Sequence, residues 1–272
     1  MTTFLAEHAA TRRPQIRTLA ARADAPVRLY CVPPAGMGAA AFYLPWTGHM
    51  PGDIELCGVE LPGQGPLAGP PIPSDAERLG YEIAEEIRAE HDTRPFAVFG
   101  HSAGALLGYL AARHLRDTGH DPFLLAVSAL PAPHRSDYAR LMARVATEGR
   151  KAFCDVFDLP SELFDDDPVQ LMAVLTPIIA SVMLTLQYRH TARPLPRTAL
   201  AIYGGRDDAV ADHRQLAAWN DLAAEPSVPR LFPGAHMYVL AQPGAVADYL
   251  AADVRAAARA ALRGGDTSQT RA

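Results

Sequence analysis

Short apolar runs rich in β-branched and aromatic residues punctuate the chain at Val27–Val32, Ile54–Val59, Phe96–Phe99, Phe123–Val127, Ala199–Tyr203 and Pro229–Phe232. Longer segments of helical period lie between them, among them Asp75–Glu90, Leu106–Arg116 and His213–Leu222. This alternation constrains the fold more than any other feature of the sequence. Strands apolar along their whole length must be covered on both faces, and parallel neighbours need a crossover connection that a helix supplies. The alternation predicts an α/β fold with a mostly parallel sheet and helices on both faces. Of the 272 residues, 49% are apolar and 20% charged, enough to fill one large core and too apolar for a disordered chain.

The alternation breaks between about residues 134 and 190, where only helical segments are legible. Asp167-Pro168 and Thr176-Pro177 each read as an N-cap followed by proline at the first helical position. Beyond the second, Ile178, Ile179, Val182, Met183 and Leu186 recur on one helical stripe. The reading is a single domain over 1–272, with 134–190 as a helical lid inserted after a sheet strand. Residues 1–25 and 264–272 are expected as loose ends.

Several classes are excluded on composition. Twenty-five basic against thirty acidic residues give a net charge of −5, and no basic run is interleaved with aromatics, so nucleic acid is not the partner. The uncharged stretch Pro168–Tyr188 is interrupted by Gln170, Thr176, Pro177, Ser181, Thr185 and Gln187, which argues against a membrane span. The N-terminal residues carry no apolar core of a signal peptide. Cys31, Cys57 and Cys154 are too widely spaced for a metal knuckle; Cys31 and Cys57 sit inside apolar runs and read as buried thiols, and a reducing, cytoplasmic compartment follows. No P-loop, dinucleotide fingerprint or metal-ligand spacing is present, so no cofactor or metal is expected, and a monomer is the expectation.

The chemistry concentrates at Phe96-Ala97-Val98-Phe99-Gly100-His101-Ser102-Ala103-Gly104-Ala105. A G-x-S-x-G following an apolar strand and opening a helix is the context of a nucleophile elbow, with Ser102 at the tip. A serine needs a base. Of the ten histidines, His236 follows a strand and the turn Pro233-Gly234-Ala235, on the edge where open α/β sheets bind ligands. His101 adjoins Ser102, but its side chain should point away from the nucleophile, which suits a structural role. An orienting carboxylate is offered by Asp207 or Asp208, at the end of Leu200–Tyr203 and its glycine turn. Neighbours in an extended turn face opposite ways, so only one of the two can meet His236. Ser, then Asp, then His is the α/β-hydrolase order. Oxyanion donors are expected from the N–H of Ala103 and from the loop Val32–Gly38, where Pro33 and Pro34 have no N–H and Ala35 or a neighbour must serve.

These residues sit among further landmarks: Pro33-Pro34-Ala35-Gly36 with Ala41-Phe42 and Pro45-Trp46; Val59-Glu60-Leu61-Pro62-Gly63; Ala132-Pro133-His134; Gly204-Gly205-Arg206-Asp207-Asp208 with Trp219 downstream; and Phe232 to Tyr238. With them the chain resembles, over about residues 27–255, the type II (editing) thioesterases that accompany polyketide synthases and non-ribosomal peptide synthetases. The resemblance implies an α/β-hydrolase fold with a helical lid. It implies Ser102 as nucleophile, His236 as base, Asp208 as orienting acid, and Ala35 and Ala103 as oxyanion donors. It also implies a substrate carried on the phosphopantetheine arm of an acyl or peptidyl carrier protein. Met37, Ile178, Val182 and Met183 are candidate acyl-pocket residues. The chain departs from the family pattern at Ala103, where methionine is usual, at Pro62-Gly63-Gln64, where Pro-Gly-Arg is usual, and at Ile179-Ala180-Ser181, where Arg-Ala-Asp is usual. A releasing or cyclising thioesterase, a free-ester or lactone hydrolase, and a binding protein on a catalytically dead scaffold are the alternatives.

Overall fold

The computed structural model describes residues 13–69, 73–90, 92–135, 138–162, 167–191 and 193–269. Seven strands form one sheet: β1 (Gln15–Ala20), β2 (Val27–Val32), β3 (Ile54–Glu60), β4 (Phe96–His101), β5 (Leu124–Ser128), β6 (Ala199–Gly205) and β7 (Arg230–Phe232), in the spatial order β1-β3-β2-β4-β5-β6-β7. Every neighbouring pair is parallel except β1 with β3. The central strands β3, β4 and β5 are buried along their whole length, which is why their sequences are mostly apolar, with Glu55 and Glu60 of β3 the buried charged exceptions.

Successive side chains divide between two cores. From β2, Tyr30 and Val32 face one cluster with Val98 and Val127, covered by α2 (Ala76–Ala89) and α3 (Ala103–Asp117). Leu29 and Cys31 face the other with Phe99 and Ala126, covered by α1 (Ala39–Tyr43) and α9 (Pro243–Gln269). Helix α2 starts where Asp75 accepts from the Arg78 N–H at 3.1 Å. On the β6 side, α7 (His213–Ala217) opens on a capping box between Asp212 and Gln215, and α8 (Tyr238–Ala241) follows the turn after β7.

Between β5 and β6 stand α4 (Tyr138–Glu148), α5 (Arg150–Phe157) and α6 (Pro168–Gln187), with no strand among the described residues. Asp167 caps α6, accepting from the Val169 N–H at 2.8 Å. The second expected cap does not form: Pro177 lies inside one continuous helix. Its missing N–H removes a ladder bond, but Ile178 and Val182 beyond it are buried in the core, and that packing carries the helix through.

The loose end expected at 1–25 is replaced, at Gln15–Ala20, by an edge strand in register with β3, Thr18 opposite Cys57. Ile16 packs on one core and Leu19 on the other. At the far end α9 continues through Gln269, past the expected start of a loose tail at 264. Residues 1–12 and 270–272 lie outside the described residues. Cys31, Cys57 and Cys154 are free and buried. Burial pushes the Cys31 thiol up, and Cys57 is pushed up to about 12, so neither ionises near neutral pH. No described helix is long and apolar enough to cross a membrane.

Candidate active site

Ser102 follows β4 and precedes α3, at φ 54° and ψ −127°, a strained conformation for a residue with a side chain. The turn is closed so tightly that its flanking glycines are obligatory. A Cβ on Gly100 would stand 2.1 Å from the Gly104 carbonyl oxygen, and one on Gly104 would stand 2.3 Å from that of Val32. The Ser102 N–H is held by the carbonyl of Ser128, at the end of β5, at 2.8 Å. The strain lifts the hydroxyl above the sheet edge at the start of a helix, where N–H groups are unpaired and the dipole favours negative charge.

His236 is brought there by β7. The Arg206 and Asp207 N–H groups donate to the carbonyls of Phe232 and Gly234, stitching the turn after β6 to the turn after β7. The His236 imidazole is buried, and its Nε2 lies 2.9 Å from Ser102 Oγ. Its Nδ1 lies 3.1 Å from both carboxylate oxygens of Asp208. An ionised carboxylate can only accept, so Nδ1 carries the proton and Nε2 is left to accept from the serine. The Asp208 carboxylate, buried with the imidazole, is further fixed by the Val210 N–H at 2.8 Å. Asp207 is exposed, so of the two adjacent acids Asp208 is the one that meets the histidine.

Beneath this line lies a polar chain absent from the sequence reading. His101 Nδ1 is 2.8 Å from Ser128 Oγ, which is 2.6 Å from the Tyr238 hydroxyl. Burial, aided by the neighbouring His236, pushes the His101 imidazole well below the usual histidine range, so it stays neutral under the site. Its side chain is turned to the core, in line with the structural role expected of it.

The Pro33–Gly38 loop rests against the first turn of α3: the Val32 and Pro33 carbonyl oxygens both lie within 2.5 Å of where a Gly104 Cβ would be. The loop that carries Ala35 thus packs on the helix turn that begins at Ala103, next to Ser102. Helix α6 meets that loop, with Ile178 Cγ1 standing 2.6 Å from where a Gly36 side chain would begin. Of the pocket candidates, Ile178 and Val182 are buried on this inner flank, whereas the half-buried Met37 packs against the other core. Met183 is not brought to them. It is 45% exposed and, with Ile179 at 46%, forms the outer edge of the helix. Asp158, at the end of α5, accepts from the Met237 N–H at 3.2 Å and ties the helical insert to the histidine loop, a contact no sequence signal marked. Among the described residues no group of three or more His, Cys, Asp or Glu is placed to hold a metal ion.

A hydroxyl, an imidazole and a carboxylate in line beside a helix N-terminus are equipped for acyl transfer through a covalent intermediate. Residues 27–254 match the family model described as "Thioesterase domain". The gramicidin S biosynthesis protein GrsT of Aneurinibacillus migulanus is 30% identical over 225 residues, covering 79% of this chain and 84% of that protein. Two solved structures are similar. One is the type II thioesterase BorB from the borrelidin biosynthetic cluster, at 25% identity and TM-score 0.72, covering 88% of this chain and 97% of that one. The other is the RedJ thioesterase from the prodiginine pathway of Streptomyces coelicolor, at 26% identity and TM-score 0.71, covering 88% of each chain. The chain belongs to the thioesterase domain family and has the α/β-hydrolase fold. It is a hydrolase of thioester bonds.

Proposed function

We propose that this thioesterase removes acyl groups from the phosphopantetheine arm of acyl or peptidyl carrier proteins in polyketide or non-ribosomal peptide biosynthesis, using Ser102, His236 and Asp208. The observation that carries the catalytic reading is the pair of contacts on one imidazole, 2.9 Å to Ser102 Oγ and 3.1 Å to Asp208. The carrier-bound substrate is supported by the similarity to GrsT and to type II thioesterases of biosynthetic clusters.

In this reading His236 Nε2 takes the Ser102 proton as Oγ attacks the thioester carbonyl. The oxyanion is held by the N–H groups of Ala35 and Ala103. The C–S bond breaks, and the imidazolium returns its proton to the leaving thiolate. Water then enters, gives a proton to His236 and attacks the acyl-enzyme ester, and Oγ leaves with that proton. Asp208 holds the tautomer and stabilises the imidazolium throughout. The buried Ile178 and Val182 are the acyl-facing side chains, under the helical insert acting as a lid. Buried unpaired thiols accord with a reducing cytoplasm.

The test is the intact mass of the protein after exposure to an acyl-loaded carrier protein. The expected result is a transient adduct of acyl mass on Ser102 and free thiol on the carrier, both lost in S102A. Turnover of nitrophenyl esters without any turnover of carrier-bound or N-acetylcysteamine thioesters overturns the substrate class.

A further inference from the structure

The loop that carries Ala35 can do little to hold itself. Pro33 and Pro34 donate no backbone hydrogen bond, and Gly36 stands at φ +79°. What fixes the loop comes from the turn after β3. Gln64 is buried, at 4% exposure. Its Oε1 accepts from the Gly36 N–H at 2.9 Å, and its Nε2 donates to the carbonyls of Pro34 at 3.2 Å and Met37 at 2.8 Å. All three bonds of one side chain land on one four-residue segment.

They bracket Ala35. The Pro34 carbonyl and the Ala35 N–H belong to one planar peptide unit, and in a trans peptide they point in opposite directions. Holding that carbonyl from the Gln64 side aims the Ala35 N–H away from Gln64. The Gly36 N–H belongs to the next unit, so Gln64 fixes the peptide planes on both sides of Ala35. The two loops lie backbone to backbone, since a Cβ on Gly65 would meet Gly38 Cα at 2.5 Å. Glu60 anchors the segment just beyond, accepting from the Ala39 and Ala40 N–H groups at 2.8 and 3.0 Å.

We propose that Gln64 is a positioning residue for the reaction, holding the Ala35 N–H in the direction an oxyanion requires without touching substrate. The inference rests on the reading of Ala35 as an oxyanion donor. A donor must reach the oxyanion at about 2.7–3.1 Å, so a loop released from Gln64 loses transition-state binding while substrate binding is kept.

The experiment compares wild type, Q64L, Q64E and S102A on an acyl-N-acetylcysteamine thioester. Leucine keeps the volume and makes none of the three bonds. Glutamate keeps the size and the acceptor but cannot donate to the two carbonyls. Both variants should lose about 10- to 100-fold in kcat, less than the ~10²–10³ for deleting a donor outright. KM should stay within about threefold, the pattern of an interaction made only in the transition state. In Q64L, which adds no ionisable group, the shape of the pH–rate profile should not change. Affinity for an alkyl boronic acid, whose tetrahedral oxygen occupies the same space, should fall in step with kcat. Wild-type kcat in either folded variant, or a loss confined to KM, overturns the proposal. Equal rates for wild type and S102A overturn the active-site reading instead.

Discussion

His134, ahead of α4, and His190, just past α6, stand at the two feet of the helical insert with ring centroids 5.5 Å apart. His134 Nε2 lies 2.9 Å from Asp221, and His190 Nδ1 lies 3.5 Å from the Tyr188 hydroxyl. His134 Nδ1 and His190 Nε2 are buried with no hydrogen-bond partner among the described residues. Burial, then His134 and Arg113, push His190 below the usual histidine range, and Glu77 opposes them only in part. The unfolded chain therefore binds a proton more readily than the folded one. The stability this packing contributes is intact at pH 7 and falls as the pH drops through ~6.5, the unperturbed histidine value. Wild type should lose more of its thermal midpoint between pH 7 and pH 5 than H190Q does. Parallel curves for the two proteins would remove His190 as the cause.

The adjacent acids separate cleanly by substitution. Asp208→Asn leaves the shape of the site but reverses the preferred tautomer of His236, and should lower kcat by about 10⁴. Asp207 is exposed and bonds through its backbone, so Asp207→Asn should stay within the small range of surface changes. Steady-state kinetics on one thioester reads both, and a larger loss in Asp207→Asn would reverse the assignment.

Gly104→Ala tests the elbow. The new Cβ would meet backbone, 2.3 Å from the Val32 oxygen and 2.5 Å from that of Pro33, with no flexible side chain to yield. Helix α3 must shift, so kcat and thermal midpoint should fall together. Gly52→Ala, where nothing lies within 4 Å, is the control and should change stability by no more than ~0.5 kcal/mol. Fluorophosphonate labelling of Ser102 in both variants shows whether the hydroxyl is still presented.

Away from the site, Glu55 on β3 gathers the Arg28 and Arg94 guanidiniums, each at 2.8 Å, and the Arg22 N–H at 3.1 Å. Burial alone would raise its carboxyl, but these hydrogen bonds outweigh it and hold Glu55 below the usual carboxylate range. Its contribution is present at neutral pH and fades as the pH falls below ~4.3, the ordinary glutamate value. Glu55→Ala leaves the Arg28 and Arg94 guanidiniums with Asp92 as their remaining carboxylate, at 3.2 and 2.6 Å, and should cost about 1.5–3 kcal/mol. A urea titration should show a lower midpoint at unchanged slope.

How much of this was legible depended on whether the signal was local. Ser102 and His236 each stand in a strand followed by a glycine turn, and that pattern is written in neighbouring residues. Asp207 against Asp208 was not so written, because the choice turns on which side chain the strand-to-strand stitching buries. The edge strand β1 escaped notice because polar residues such as Gln15, Arg17 and Thr18 face outward along it. On α6 the apolar stripe from Ile178 to Leu186 is wide enough to span two flanks, and only packing shows Met183 on the outer one. Gln64 bonds across 27 to 30 residues between two loops, which leaves no periodic trace.

The proposed catalytic line is drawn from the ends of β4, β6 and β7, three strands that enter the sheet at widely separated points of the chain. No contiguous fragment carries it, and β7 is a three-residue strand at the sheet's margin. Fraying of that margin would take the imidazole out of line while most of the platform still stood. Turnover should thus be a more sensitive gauge of this molecule's integrity than its circular dichroism, and in gradual denaturation it is expected to fade first.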